Sequence, residues 1–203
     1  MTRLAEALQN ISEIHAHLAR GEVYRGVSAR PVLLSGLLGL LAAGLQAQLI
    51  PSVDAQAFVL YWLASAAVCA AVGASGAFVS YFQAEDALIK RRTRIVAGQF
   101  LPSLAAGGAV TLALLPTINQ CVGLLPGLWA VLYGLGLFST RPYLPHATGW
   151  VALYFLAAGS VLMGLLPPAT IPSPWIIALV FAGGQLGLAW VLHRNAEREN
   201  QHG

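Results

Sequence analysis

The side chains that could do chemistry are few and mild. His146 and His193 fall at the ends of two apolar stretches, where such a pair could ligate a haem between helices or border a quinone. Two interfacial histidines without that role are the commoner arrangement. Gln99 and Gln185 lie inside apolar stretches, about 7–14 Å from Arg94 and Arg194 at 1.5 Å per helical residue. They could bond each other across two helices, an interhelical contact worth about 1 kcal/mol. Their functional alternative is to line, with Ser65 and Thr111, a path for a small neutral solute. His15 and His17 are two apart and point to different faces of a helix, which argues against a shared metal. The two cysteines, Cys69 and Cys121, sit in apolar surroundings at no metal or disulfide spacing. Serines, histidines and carboxylates form no nucleophile pattern. No catalytic residue, metal or cofactor is assigned, and the chain reads as a non-enzyme.

The elements that must position these residues are long apolar runs. Only 9% of the 203 residues are charged and 57% are hydrophobic, against about 25% charged in a soluble domain. Six runs emerge: Pro31–Leu49, Gln56–Phe82, Ile95–Leu115 with Pro102 inside it, Cys121–Thr140 with Pro126 near its start, Thr148–Leu166 and Pro174–His193. Each approaches the roughly 20 residues that cross a bilayer core. In lipid the backbone must satisfy itself, so the runs are expected as helices. No Asp, Glu, Lys or Arg lies inside any of them. Ion pathways and proton relays usually carry such groups, so an ion-coupled pump is disfavoured. The expected fold class is an all-α integral membrane protein: six transmembrane helices as three hairpins, over residues 30–193.

Residues 1–29 lack the apolar core of a signal peptide. Leu4, Leu8, Ile11, Ile14 and Leu18 recur at helical spacing, with Arg3, Glu6, Glu13, His17 and Arg20 opposite. The spacing predicts an amphipathic helix with Thr2 as its cap and Gly21 as its stop. Its charges are mixed and its apolar face is short. A protein partner, or self-association, therefore suits the stripe better than lipid.

All eleven Lys and Arg flank the runs on one side. Arg3, Arg20, Arg25 and Arg30 precede the first. Lys90, Arg91, Arg92 and Arg94 separate the second from the third, Arg141 the fourth from the fifth, and Arg194 and Arg198 follow the sixth. The turns at Pro51–Asp54, Pro116–Gln120 and Pro167–Ser173 have none. The positive-inside rule then places both termini, including the tail 194–203, in the cytoplasm of a bacterial inner membrane. It also explains the net charge of +3 without nucleic acid. Lys90–Arg94 anchor that topology at the headgroups. The same three proline turns each follow a Leu-Ala-Ala-Gly copy ending at Gly44, Gly107 or Gly159, small residues that let helices approach.

Further residues carry a resemblance. These are Ile11-Ser12-Glu13-Ile14, Leu34-Ser35-Gly36-Leu37, Arg91-Arg92, Leu125-Pro126-Gly127-Leu128-Trp129, Arg141-Pro142-Tyr143-Leu144 and Phe181-Ala182-Gly183-Gly184. In their order the chain resembles an uncharacterised group of small bacterial six-span membrane proteins, often encoded beside a winged-helix transcriptional regulator. Two places depart from that group's pattern: Arg20-Gly21-Glu22-Val23-Tyr24, and Gln185 with no histidine near it. The resemblance implies fold and a regulatory neighbourhood, and brings no activity. The expected function is a non-catalytic membrane protein that works through protein contacts on its cytoplasmic face. A neutral-solute carrier or channel is the alternative, and a haem or quinone anchor the weaker one.

Overall fold

A computed structural model describes residues 28–49, 54–83 and 87–202. The described chain is all-helical, with no strand among those residues. Helix α1 is Ala29–Leu49, α2 Ala55–Gln83, α3 Ala87–Leu114, α4 Leu125–Ser139, α5 Thr148–Leu165 and α6 Pro174–His202. Five helical stretches are long and apolar enough to cross a membrane: Ala29–Leu49, Ala55–Gln83, Lys90–Ser139, Thr148–Leu165 and Pro174–Arg198. The third of these joins two of the six runs read from sequence. Between α3 and α4 the backbone never leaves helical turns: a 3₁₀ turn at Leu115–Thr117, one α-turn at Ile118–Cys121 and a second 3₁₀ turn at Val122–Leu124. The path bends where Thr117 (φ −114°) and Cys121 (φ −137°) leave α geometry. Pro116 and Pro126 each sit at the start of a new turn, where a missing N–H costs nothing.

Local features account for the helix bounds. Pro102 lies inside α3 without ending it, as prolines are tolerated in helices of an apolar setting. The α3 helix begins at Ala87, so Lys90–Arg94 stand on its first turns and not in a loop. At the other end of the chain α6 continues unbroken to His202. At the other end of α2, Asp54 has a clear structural role. Its carboxylate accepts the Ala57 N–H at 2.6 Å and its carbonyl the Phe58 N–H at 2.9 Å, capping the helix start.

Two core clusters define the ends of the bundle. One gathers Val32 of α1, Leu137 of α4, Val151 and Phe155 of α5 and Leu188 and Leu192 of α6, with Val96 and Phe100 of α3 against it. The other gathers Ala43, Phe58, Val59, Trp62, Ile118, Val122, Leu125 and Ile177. Odd-numbered helices therefore start at the first end and even-numbered helices return to it. The described Lys and Arg residues flank the first cluster, and the turns at Pro116 and Pro167 close the second; these are the basic end and the proline end. Each helix meets its chain neighbours and α6 returns to α1, so the six form a ring. The α4–α5 and α1–α6 contacts are the most extensive, so the strongest joints lie between hairpins and not within them. The weakest joint is α2–α3.

Candidate functional site

The middle of the bundle is filled by an aromatic cluster from four helices. Tyr133 of α4 lies edge-on to Phe100 of α3, ring centres 5.2 Å apart at 90°. It also meets Phe155 of α5 at 4.8 Å and Phe181 of α6 at 6.4 Å. Phe155 and Phe181 close the set at 5.8 Å. Edge-to-face and tilted pairs of this kind match the ring quadrupoles. The cluster depends on Gly184: a Cβ there would clash with the edge of the Phe155 ring at its Cζ. A tyrosine this deep needs a partner for its hydroxyl, and Gln185 supplies it, with the Nε2 group donating to Tyr133 Oη at 2.7 Å.

Gln185 thus reaches α4, and no hydrogen bond joins it to Gln99. Gln99 lies on α3 with its side-chain Oε1 buried and unbonded. Its backbone carbonyl accepts from Ser139 Oγ at 3.1 Å, a proton that Ser139 shares with the Gly136 carbonyl at 2.8 Å. The expected pairing fails because each glutamine has a nearer helix to bond: α6 turns Gln185 toward α4, and α3 meets α4 rather than α6. Thr111 is fully buried; its hydroxyl donates to the Gly107 carbonyl at 2.7 Å and accepts the Trp129 indole N–H at 2.8 Å. Ser65 is half-buried on α2, in a different joint of the ring. The residues expected to line a solute path are therefore spread over separate contacts.

Two further tyrosines bond across helices. Tyr61 Oη donates to the Ala42 carbonyl at 2.5 Å and ties α2 to α1. Tyr154 Oη donates to the Leu179 carbonyl at 2.9 Å and ties α5 to α6. Such bonds hold helices together where lipid removes the hydrophobic drive. Gln46 Oε1 and Trp62 Nε1, near the proline end, are buried with no hydrogen-bond partner among the described residues.

The basic end is the second feature. Arg30, Lys90, Arg91, Arg92, Arg94, Arg141, Arg194 and Arg198 all lie there. Arg194 stacks over Trp190 at 4.7 Å and Arg141 over Phe138 at 5.7 Å, cation–π contacts that fix guanidinium groups at an apolar edge. His146 and His193 are both exposed at this rim, and His193 Nε2 lies 3.3 Å from Glu197 Oε1 one turn along α6. Among the described residues no three His, Cys, Asp or Glu gather to hold a metal. The stripe Leu4, Leu8, Ile11, Ile14 and Leu18 lies outside the described residues.

Tyr133, Phe100, Phe155 and Phe181 are not legible as a site from sequence. One signal was present: a tyrosine inside an apolar run, Leu132-Tyr133-Gly134, must find a hydrogen-bond partner or face an aqueous lumen. No family model matches the chain, and no curated protein or solved structure matches it either.

Proposed function

We propose that this chain is a six-span bacterial inner-membrane protein that acts without catalysis, through protein contacts on its cytoplasmic face, as a regulatory or scaffold component or a subunit of a larger complex. The sixth span in this reading is the path from Ile118 through α4 to Ser139. Its about 22 residues reach about 33 Å at 1.5 Å each, enough for the hydrocarbon core. The resemblance to proteins encoded beside a winged-helix regulator agrees with a regulatory role.

One observation carries the reading: Asp, Glu, Lys and Arg are absent from the apolar runs, and every described Lys and Arg gathers at one end. The middle holds the Phe100–Tyr133–Phe155–Phe181 packing and neutral hydrogen bonds, which suits a rigid frame better than a solute path. The basic end holds the described cations, and the N-terminal segment joins α1 on that side. A partner would meet the stripe Leu4–Leu18 there.

The test is affinity purification from native membranes in a gentle detergent, comparing the whole chain with a form lacking residues 1–20. The whole chain should carry a second protein in constant ratio, and the truncated form should lose at least nine-tenths of it. A partner retained in full by the truncated form contradicts the assignment of the stripe as the docking element.

A further inference from the structure

The inner half of α2 has a free apolar face. Ala71, Ala74, Ser75, Phe78, Val79 and Phe82 are all exposed, at helical spacing, on the side turned away from α1. Its last turns are aromatic: Phe78 is 65% exposed, Val79 48% and Phe82 66%. The Phe78 and Phe82 rings meet at a tilt, centres 4.6 Å apart, with Tyr81 edge-on to Phe82 at 5.4 Å. Along most of a membrane helix an exposed apolar face needs no explanation, because lipid covers it. Here the register matters. Ser28, just before α1, sits against Gly76, with its Oγ 2.6 Å from where a Cβ on Gly76 would lie. The α1 helix therefore begins at the level of Gly76, beside Arg30, and α2 runs on to Gln83. That is about 10 Å further at 1.5 Å per residue. The 29 residues of α2 span about 43 Å, against about 30 Å of hydrocarbon. Phe78, Val79 and Phe82 thus stand in or beyond the headgroup layer, where lipid tails do not cover them.

The N-terminal segment leaves the bundle at this spot, since Ser28 is in contact with α2. Leu18 is ten residues from Ser28, a tether of at most about 35 Å. A tether this short holds the segment near the patch at an effective concentration on the order of millimolar. The segment's apolar residues repeat at the same helical spacing as those of the patch. Its three arginines and three glutamates up to Glu22 and Arg25 cancel, so the anionic bilayer surface has no net hold on it. We propose that the stripe Leu4, Leu8, Ile11, Ile14 and Leu18 docks in cis along Phe78, Val79 and Phe82 at the projecting end of α2, covering the partner-binding stripe until a partner displaces it. This regulation rests on the reading of the stripe as the partner-docking element and of the basic end as cytoplasmic.

Thiol bridging tests the contact in the full chain, in nanodiscs of phosphatidylethanolamine and phosphatidylglycerol, with Cys69→Ala and Cys121→Ala as background. Ile11→Cys is combined either with Phe82→Cys or with Trp150→Cys, an exposed position at the same end on α5, and a short bismaleimide is added. The Phe82 pair should bridge within one chain at least fivefold faster than the Trp150 pair. Equal rates, no bridge at Phe82, or a product of two chains' mass overturns the proposal; the last assigns the patch to a second copy. As an independent reading, Phe78→Ser with Phe82→Ser should raise the rate of tryptic cleavage at Arg20 about tenfold, and an unchanged rate also overturns it. A bridge with the partner still held after removal of residues 1–20 leaves the docking standing and removes the partner assignment. Partner loss with no bridge does the reverse.

Discussion

The α4–α5 joint and the α2 helix show two ways for apolar helices to sit in one bundle. At α4–α5 the backbones nearly touch: a Cβ on Gly127 would lie 2.6 Å from the Gly159 carbonyl, and a Cβ on Gly159 2.6 Å from the Gly127 carbonyl. Gly134 repeats the approach one step on, against the Ala152 carbonyl at 3.0 Å. In lipid this close van der Waals contact is what association rests on. The α2 helix packs chiefly on α1, barely meets α3, and buries only Ala55, Phe58, Val59 and Trp62 near its proline end. Hydropathy alone does not distinguish the two regions, since both are apolar throughout. The difference lies in which small residues face a neighbour, and it separates a rigid frame from a surface available for contact.

Substitutions should widen that contrast, measured as thermal unfolding of the purified protein followed by tryptophan fluorescence. Phe155→Ala removes a fully buried ring from the central cluster and should cost about 4 kcal/mol, the range for buried phenylalanines. Gly159→Ala forces a methyl onto a carbonyl and should cost about 2–3 kcal/mol, whereas Gly108→Ala, with nothing within 4 Å, should stay within about 0.5 kcal/mol. Equal effects at the two glycines would remove the α4–α5 joint from the account. Tyr133→Phe and Gln185→Leu should each cost about 1 kcal/mol, and the double variant less than their sum, because both lose one hydrogen bond. The smallest effect is expected at Val68→Ala on α2, 55% exposed, within about 0.5 kcal/mol. A loss there like that at Phe155 would mean that α2 is covered by something tightly bound.

Much of the fold is legible in the sequence because bilayer length and backbone satisfaction act locally. Apolar runs near Pro31, Gln56, Thr148 and Pro174 all meet helices starting within two residues of those positions. The stretch around Pro116–Leu124 is less legible: its prolines mark a turn, yet they open successive helical turns and keep the path unbroken. The candidate site is less legible still. Gln185 signals a polar contact, but its partner Tyr133 is 52 positions away, and only the contact of α6 with α4 across the ring brings them together. The repeated Leu-Ala-Ala-Gly copies show the same limit. A Cβ on Gly159 would lie 2.6 Å from a backbone carbonyl, while one on Gly44 or Gly107 would meet only ordinary contacts at 3.9 and 3.7 Å. One local pattern serves three different packings.

In the proposed topology Lys90–Ser139 crosses the membrane twice, which puts every described cation on one side. Membrane-impermeant maleimide labelling of single cysteines tests it, with His146→Cys and Thr170→Cys placed on exposed turns at opposite ends in the chain lacking Cys69 and Cys121. In spheroplasts Thr170→Cys should label and His146→Cys should not, with the reverse in inverted vesicles. If that stretch crosses only once, the two positions exchange sides, and labelling of His146→Cys in spheroplasts would contradict the account.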